Sequence, residues 1–481
     1  MKKIIALYKK LHIAVKASLW FTIASLFQKG LTFLATPIYT RLLSTESYGF
    51  YSVYISWLSV ITIFATLSLS AGVLNNALLN KEKFGLNDNQ VLFNFQIIET
   101  ITIPIVMGIV MMFKYLFPSI ISLPFNSLVA MAISIFFSSG ISLWTVKERY
   151  NFKYIGVTIL TILLSVLTVF FNIIFVYYLN DSSFALVYGS TLAIVIVNFY
   201  IIVRNIVNGS NGFNWDICKY AICFNLPLIP HYLASTILTS ADKIMIESMR
   251  SSSDAALYSV AYSLGNILTV FINAINASLA PYTYQKLKKG ETEEIRKFTT
   301  TVFLLLILIA GIVIMVGPEL IYILGGEKYI EAKWVIPPIA AAIVFFFMYP
   351  MFANIEFYYE KRIMTMIASI MAAILNVILN YICIPMFGYI AAAFTTLICY
   401  IALSIFHYIM YRIICKQKRL GKIYDEKILI VLSLFTLLLI GCSYVVYMYN
   451  IIRYVFIIII IILIVINRKK LLNCVKNIAK K

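Results

Sequence analysis

Stretches of twenty or more mostly apolar residues recur from one end of this 481-residue chain to the other. A helix of about 20 such residues matches the hydrocarbon thickness of a bilayer, so each stretch reads as a membrane span. About 14 spans are predicted, near residues 17–42, 48–79, 91–113, 126–146, 154–178, 183–203, 219–248, 254–280, 298–324, 333–357, 363–383, 388–411, 428–447 and 450–467. Hydrophobic residues make up 62% of the chain and charged residues 12%, with a mean hydropathy of +0.92. No soluble interior hides that much apolar sequence, so an all-α polytopic membrane protein is expected. The loops run to at most 10–15 residues, too short for a separate catalytic domain. The first span is too long for a signal-peptide core and is expected to be retained.

A net charge of +19 invites a nucleic-acid reading, but its distribution excludes one. With the N-terminus placed in the cytoplasm, the cytoplasmic segments carry 31 of the 39 Lys and Arg residues, the external loops carry 7, and Lys29 lies within a span. That asymmetry is the positive-inside bias of a multi-pass protein with both termini cytoplasmic. The seven cysteines show no CxxC and no metal-like spacing, and the three histidines are scattered, so neither a disulfide framework nor a metal or other cofactor site is predicted.

An internal repeat organises the spans. The turn "STESYGFYSV" after the first span reappears as "RSSSDAALYSV" after the seventh, with Tyr51-Ser52-Val53 aligning with Tyr258-Ser259-Val260 at an offset of 207. Six spans per repeat is an even number, so both halves enter the membrane in the same direction, a known transporter plan. Two pseudo-symmetric six-helix lobes are therefore expected, residues 1–210 and 211–415. Residues 416–481 would add a helix pair and a basic cytoplasmic tail.

Polar residues fall in stripes on four of these spans. On the first, Ser18, Thr22, Ser25, Lys29, Thr32, Thr36 and Thr40 step by four and three residues. On the second, Ser52, Ser56, Ser59, Thr66 and Ser70 share a face. The repeat supplies Tyr232, Thr236, Thr239, Lys243 and Glu247 on the seventh span, and Tyr262, Asn266, Thr269, Asn273 and Asn276 on the eighth. Such residues either hydrogen-bond between helices or line a water-filled cavity; four symmetric stripes favour a shared cavity.

Lys29 is eleven residues past Ser18, or roughly 17 Å deep, where a lysine costs about +2.5 to +3.5 kcal/mol. Three explanations stay open: a hydrated cavity in which it attracts an anionic substrate, a pair with Glu99 on the third span, or a misplaced span boundary. Asp242, Lys243 and Glu247 near the external end of the seventh span are either a solvated rim or a gate or ion-coupling site, and Glu99 joins them as a coupling candidate. Pro227 and Pro230 should kink the seventh span. No phosphate-binding G-x-x-x-x-G-K-[ST] and no local signature of a catalytic triad is present, so no catalytic residue is assigned.

With these residues in view, "FQKGLTFLATPIYTRLLSTESYGFYSVYISWLSVI" and "FNLPLIPHYLASTILTSADKIMIESM", followed by "ALYSVAYSLGNILTVFINAINASLAPY", resemble Wzx-type oligosaccharide flippases of the multidrug/oligosaccharidyl-lipid/polysaccharide exporter superfamily. The matching elements are Arg41-Leu42-Leu43, Glu46-Ser47-Tyr48-Gly49, Leu226-Pro227, Pro230 and Asp242-Lys243; Ala256 departs from the pattern where Gly49 stands in the first repeat. The resemblance implies a MATE-like two-lobed bundle that is a transporter rather than an enzyme. Its cargo would be a polyprenyl-diphosphate-linked oligosaccharide repeat unit for O-antigen, capsule or a related surface polysaccharide, moved across the bacterial cytoplasmic membrane by alternating access. Membrane lipid and the polysaccharide polymerase and chain-length machinery are the implied partners, and nucleic acid is not. Lys29, Ser25, Thr32, Arg41, Asn266 and Asn273 are the expected substrate contacts. The rival readings are a cation-coupled multidrug exporter of the same fold and, from another class, a membrane glycan polymerase or acyltransferase.

Overall fold

The computed structural model describes residues 13–455 and 457–458, and every regular element among them is a helix. In chain order these are α1 (Ile13–Leu42), α2 (Thr45–Ala65), α3 (Val73–Leu79), α4 (Asp88–Leu116), α5 (Phe125–Tyr150), α6 (Tyr154–Leu179), α7 (Ala185–Val207), α8 (Trp215–Asn225) and α9 (Ile229–Met249). They continue with α10 (Ser252–Lys289), α11 (Thr292–Met315), α12 (Gly317–Gly325), α13 (Ile336–Tyr358), α14 (Arg362–Phe387), α15 (Ile390–Gln417) and α16 (Glu426–Met448), with short 3₁₀ turns between some of them. Twelve helices among the described residues are long and apolar enough to cross a membrane. They coincide with the second to thirteenth predicted spans. The first span is α1, which at 30 residues is long enough, but Gln28, Lys29 and its hydroxyls leave it less apolar than the twelve. Most of the last predicted span, 450–467, lies outside the described residues.

One span is corrected. The apolar run 48–79 is not a single helix: α2 stops at Ala65 and α3 begins at Val73. Thr66 caps α2, its hydroxyl donating to Thr62 O and accepting from the Ser68 N–H, while Leu67 and Ser68 take φ of 50° and 49°. A helix end in apolar surroundings needs partners for its free carbonyls. They come from elsewhere in the chain: the Thr102 hydroxyl donates to Ala65 O at 2.7 Å, and the Asn225 amide donates to Leu67 O. The polar face of α2 therefore ends near Thr62, and Ser70 is not on it.

Local chemistry accounts for several helix starts. Ser44 caps α2 by accepting from the Ser47 N–H, with Glu46 in the first turn. Asn87 and Gln90 form a capping box at α4. The predicted kink in the seventh span is the 3₁₀ turn Leu226–Leu228, which carries Pro227 and separates α8 from α9. The internal repeat holds at the level of elements. Ser252 opens α10 207 residues after Thr45 opens α2, and α14 and α15 begin 208 and 205 residues after α6 and α7.

The chain forms two compact units, Met1–Ala256 and Leu257–Lys481. Within the first, α1 packs on α6, α2 on α9, and α4, α5 and α7 pack together. A buried hydrogen-bonded relay ties α1, α6, α7 and α2: Asn172 donates to the Tyr39 hydroxyl at 3.3 Å, Ser190 donates to Asn172 Oδ1 at 3.1 Å, and the Tyr51 and Ser190 hydroxyls lie 3.2 Å apart. In the second unit α13 is the buried axis, flanked by α11, α14, α15 and α16.

Gly49 marks the tightest helix approach of the first unit. A Cβ there would lie 1.8 Å from the Ser252 carbonyl oxygen and 3.3 Å from the Ala256 Cβ, beside the 3.0 Å contact of the Thr45 and Ser253 hydroxyls. Gly49→Ala is therefore expected to lower the melting temperature of the detergent-purified protein and its amount in the membrane. Gly30→Ala, where nothing lies within 4 Å of the added carbon, is the control expected to leave both unchanged.

Candidate functional site

The polar stripes divide into a sealed part and an open part. On α1 the hydroxyls of Thr22, Thr32, Thr36 and Thr40 donate to the carbonyls of Ser18, Gln28, Thr32 and Thr36 at 2.9–3.1 Å, each four residues back. Ser52, Ser56, Ser59 and Thr62 on α2 do the same. Hydroxyls bonded to their own helix are satisfied without needing a neighbour. Burial then sorts them. Thr36, Thr40, Ser52 and Ser56 are buried, whereas Ser18, Thr22, Lys29 and Thr32 are exposed and Ser25 is half-buried.

Lys29 lies about 24 Å along a helix about 45 Å long. It is exposed and forms no hydrogen bond or ion pair among the described residues. Glu99, the partner proposed for it, points elsewhere. It is buried on α4 at 1% exposure, its Oε2 has no hydrogen-bond partner, and it makes no ion pair with Lys29. Nearby, Gln96 donates to Ser139, and Asn205 donates to the Gly140 carbonyl, so this face of α4 is a packing seam with α5 and α7.

The remaining predicted residues divide similarly. Arg41 is exposed at the end of α1 and donates to Pro37 O at 3.2 Å. Asp242 is buried on α9, Lys243 and Glu247 are half-buried, and Glu247 Oε2 is a buried atom without a partner. In the second unit Asn266 and Asn273 are exposed on α10, while Asn276, on the same stripe, is tied down by the Asn354 amide at 3.1 Å. No group of three or more His, Cys, Asp or Glu among the described residues is placed to hold a metal ion, and none of the six described cysteines forms a disulfide.

The structure also contains a buried polar cluster that the sequence did not reveal. Glu356 on α13 and His407 on α15 are fully buried, with Glu356 Oε1 2.7 Å from His407 Nδ1, and the Thr365 hydroxyl donates to Glu356 Oε2 at 3.0 Å. Tyr349 covers the imidazole at 4.8 Å between ring centres. These residues come from three helices, and an acid near the end of an apolar span looks like a solvated rim, so spacing alone carries no signal for the cluster.

The described residues form a helical bundle with twelve candidate membrane spans and polar residues within them. Solved structures share this fold. A lipid II flippase, MurJ, in an inward closed conformation aligns over 94% of this chain and 100% of its own, with a TM-score of 0.72 at 14% identity. An inward-facing multidrug resistance MATE family transporter of the MOP superfamily aligns over 84% of this chain and 100% of its own, with a TM-score of 0.66 at 14% identity. At such identities the likeness defines the fold. Sequence comparison then defines the family: the polysaccharide biosynthesis protein family matches residues 14–287, more than half of the chain, and the MatE family matches residues 227–382. This chain belongs to the polysaccharide biosynthesis protein family and carries the flippase and transporter fold of the MOP superfamily. It is 26% identical over 377 residues to "Lsg locus putative protein 1" of Haemophilus influenzae, covering 75% of this chain and 89% of the relative. It is 24% identical over 428 residues to an uncharacterized membrane protein of Methanocaldococcus jannaschii, covering 82% and 83%.

The buried cluster of the second unit makes a stability prediction. Glu356→Leu leaves His407 Nδ1 and the Thr365 hydroxyl without their partner in an apolar interior, which is expected to destabilise the protein by about 1–3 kcal/mol. A lowered melting temperature of the purified protein checks this.

Proposed function

We propose that this protein is a flippase that moves polyprenyl-diphosphate-linked oligosaccharide repeat units from the cytoplasmic to the outer leaflet of a bacterial cytoplasmic membrane, by alternating access, for surface polysaccharide biosynthesis. The observation that carries this reading is Lys29: a mid-helix cation, exposed on the open part of a polar stripe, without a partner among the described residues. A diphosphate headgroup cannot enter hydrocarbon unaided, and a fixed cation on a hydrated face replaces part of the solvation it loses. Ser25 and Thr32 flank Lys29 on the same face, Arg41 assists near the outer end of α1, and Asn266 and Asn273 supply open amides that suit sugar hydroxyls.

The same observation separates this reading from a cation-coupled drug exporter. A cationic cargo calls for an open acid at depth, whereas here Glu99 and Asp242 are buried and the open charge is a lysine. Glu99, Asp242, Lys243 and Glu247 fit better as gate or ion-coupling groups, Glu99 in particular, because one of its oxygens is buried without a partner. In this scheme both termini are cytoplasmic, the repeats divide near 210/211, and the flipped units pass to the polymerase and chain-length machinery.

Replacing Lys29 with Ala removes a charge-assisted contact worth about 1.5–3 kcal/mol, so glycan export should fall roughly tenfold or more. Lys29→Arg should retain most of it, and both variants should reach the membrane at the wild-type level. Full export by a well-expressed Lys29→Ala variant would contradict the assignment. Glu99→Gln separates the coupling role: transport should lose its dependence on the ion gradient while the protein stays folded, as read by export with and without an ionophore.

A further inference from the structure

The loop between α15 and α16 combines two features that are usually found apart. Its basic residues surround a chamber of about 770 Å³ at the end of α15, lined by Arg412, Lys416, Arg419 and Lys422 with Glu426 as the one acid. Beside it lies an apolar slot of about 250 Å³ between α13, α15 and α16, walled by Phe345, Met348, Phe352, Ile401, Leu434 and Leu437. Tyr408 and Glu426 line both, so chamber and slot adjoin.

A solvated basic loop would satisfy the charge bias of the chain without any such shape, but this loop is held in place. The backbone N–H groups of Ile423 and Tyr424 donate to the Tyr411 hydroxyl at 3.3 and 3.4 Å. The Tyr424 side chain is buried against Phe352 and Tyr411 and donates to the Met351 carbonyl at 2.6 Å; burial pushes its pKa well above the ordinary value, so it remains a donor. Arg296 donates to the Lys422 carbonyl from α11. Glu426 is already engaged, accepting from Arg412 through both oxygens at 2.5 and 2.6 Å and from Tyr408 at 3.1 Å. That leaves Lys416, Arg419 and Lys422 exposed around a preformed hollow, three cations whose charge the one acid does not neutralise.

We propose that this chamber and the adjoining slot together form a binding site for a bilayer phospholipid with an anionic headgroup, the phosphate resting among Lys416, Arg419 and Lys422 and an acyl chain filling the slot. Charge complementarity selects the headgroup, and an apolar volume leading away from it selects a chain. The slot is walled on its open side by lipid-exposed Leu434 and Leu437, so bulk phospholipid reaches it directly and in excess over any minor lipid. The face is the one that the Lys and Arg bias assigns to the cytoplasm, where anionic phospholipid would meet it.

Native mass spectrometry of the full-length protein in detergent tests the site. Phosphatidylglycerol, phosphatidylcholine, a polyprenyl monophosphate and inorganic phosphate are titrated separately and in competition. Wild-type protein should retain phosphatidylglycerol in preference to phosphatidylcholine. The double variant Lys416→Ala/Arg419→Ala should bind phosphatidylglycerol about tenfold or more weakly at an unchanged melting temperature. Leu434→Trp, which narrows the slot from its lipid-facing side, should weaken phosphatidylglycerol and leave inorganic phosphate unaffected. Equal retention of the two phospholipids, or wild-type affinity in the double variant, would overturn the proposal. So would inorganic phosphate binding as tightly as phosphatidylglycerol, or polyprenyl monophosphate displacing phosphatidylglycerol at equal concentration.

Discussion

Hydrocarbon offers no hydrogen bonds, and the rest of this structure follows from that constraint. Backbone polar groups must be satisfied inside the chain, which makes every span a helix. Hydroxyls on the spans meet the same demand by bonding to their own helix four residues back, so a row of Ser and Thr can cross the membrane without requiring a neighbour. Where a helix ends within the apolar interior, as α2 does at Ala65, side chains from α4 and α8 supply the missing donors. Some polar groups among the described residues remain without a partner, and on the open face of α1 the exposed Lys29 forms no hydrogen bond or ion pair among them.

This constraint also explains how much was legible in the sequence. Spans were visible because twenty apolar residues in a row have one physical meaning, and the repeat was visible because Thr45 and Ser252 open equivalent helices 207 residues apart. Pro227 and Pro230 announced the break between α8 and α9, because a proline withholds its own donor. The break after Ala65 was hidden, because the residues that permit it, Thr102 and Asn225, are remote in sequence and unremarkable in type. Glu356 and His407 were hidden for the same reason, their cluster being assembled from α13, α14 and α15. In the candidate site, periodicity found the stripe that holds Lys29 but not its division into a buried end at Thr36 and Thr40 and an open end below.

Family membership and fold place the protein in the polysaccharide biosynthesis protein family with the flippase and transporter fold of the MOP superfamily, and the charge on its open stripe bears on the cargo proposed for it. Under the proposed function, a lysine there suits an anionic headgroup, while the acids Glu99 and Asp242 are buried. The basic chamber at the end of α15 answers a different demand, since an apolar slot adjoins it. The two proposals thus assign cargo recognition and lipid binding to different cations.

The central claim is that the open end of the α1 stripe faces water rather than lipid. The most direct test is thiol accessibility in membranes, with the native cysteines replaced and Lys29→Cys compared with Leu34→Cys, a lipid-type position 69% exposed on the same helix. The account predicts that a membrane-impermeant maleimide reacts with the Lys29→Cys variant and leaves Leu34→Cys unlabelled. Equal inertness of the two variants would contradict it.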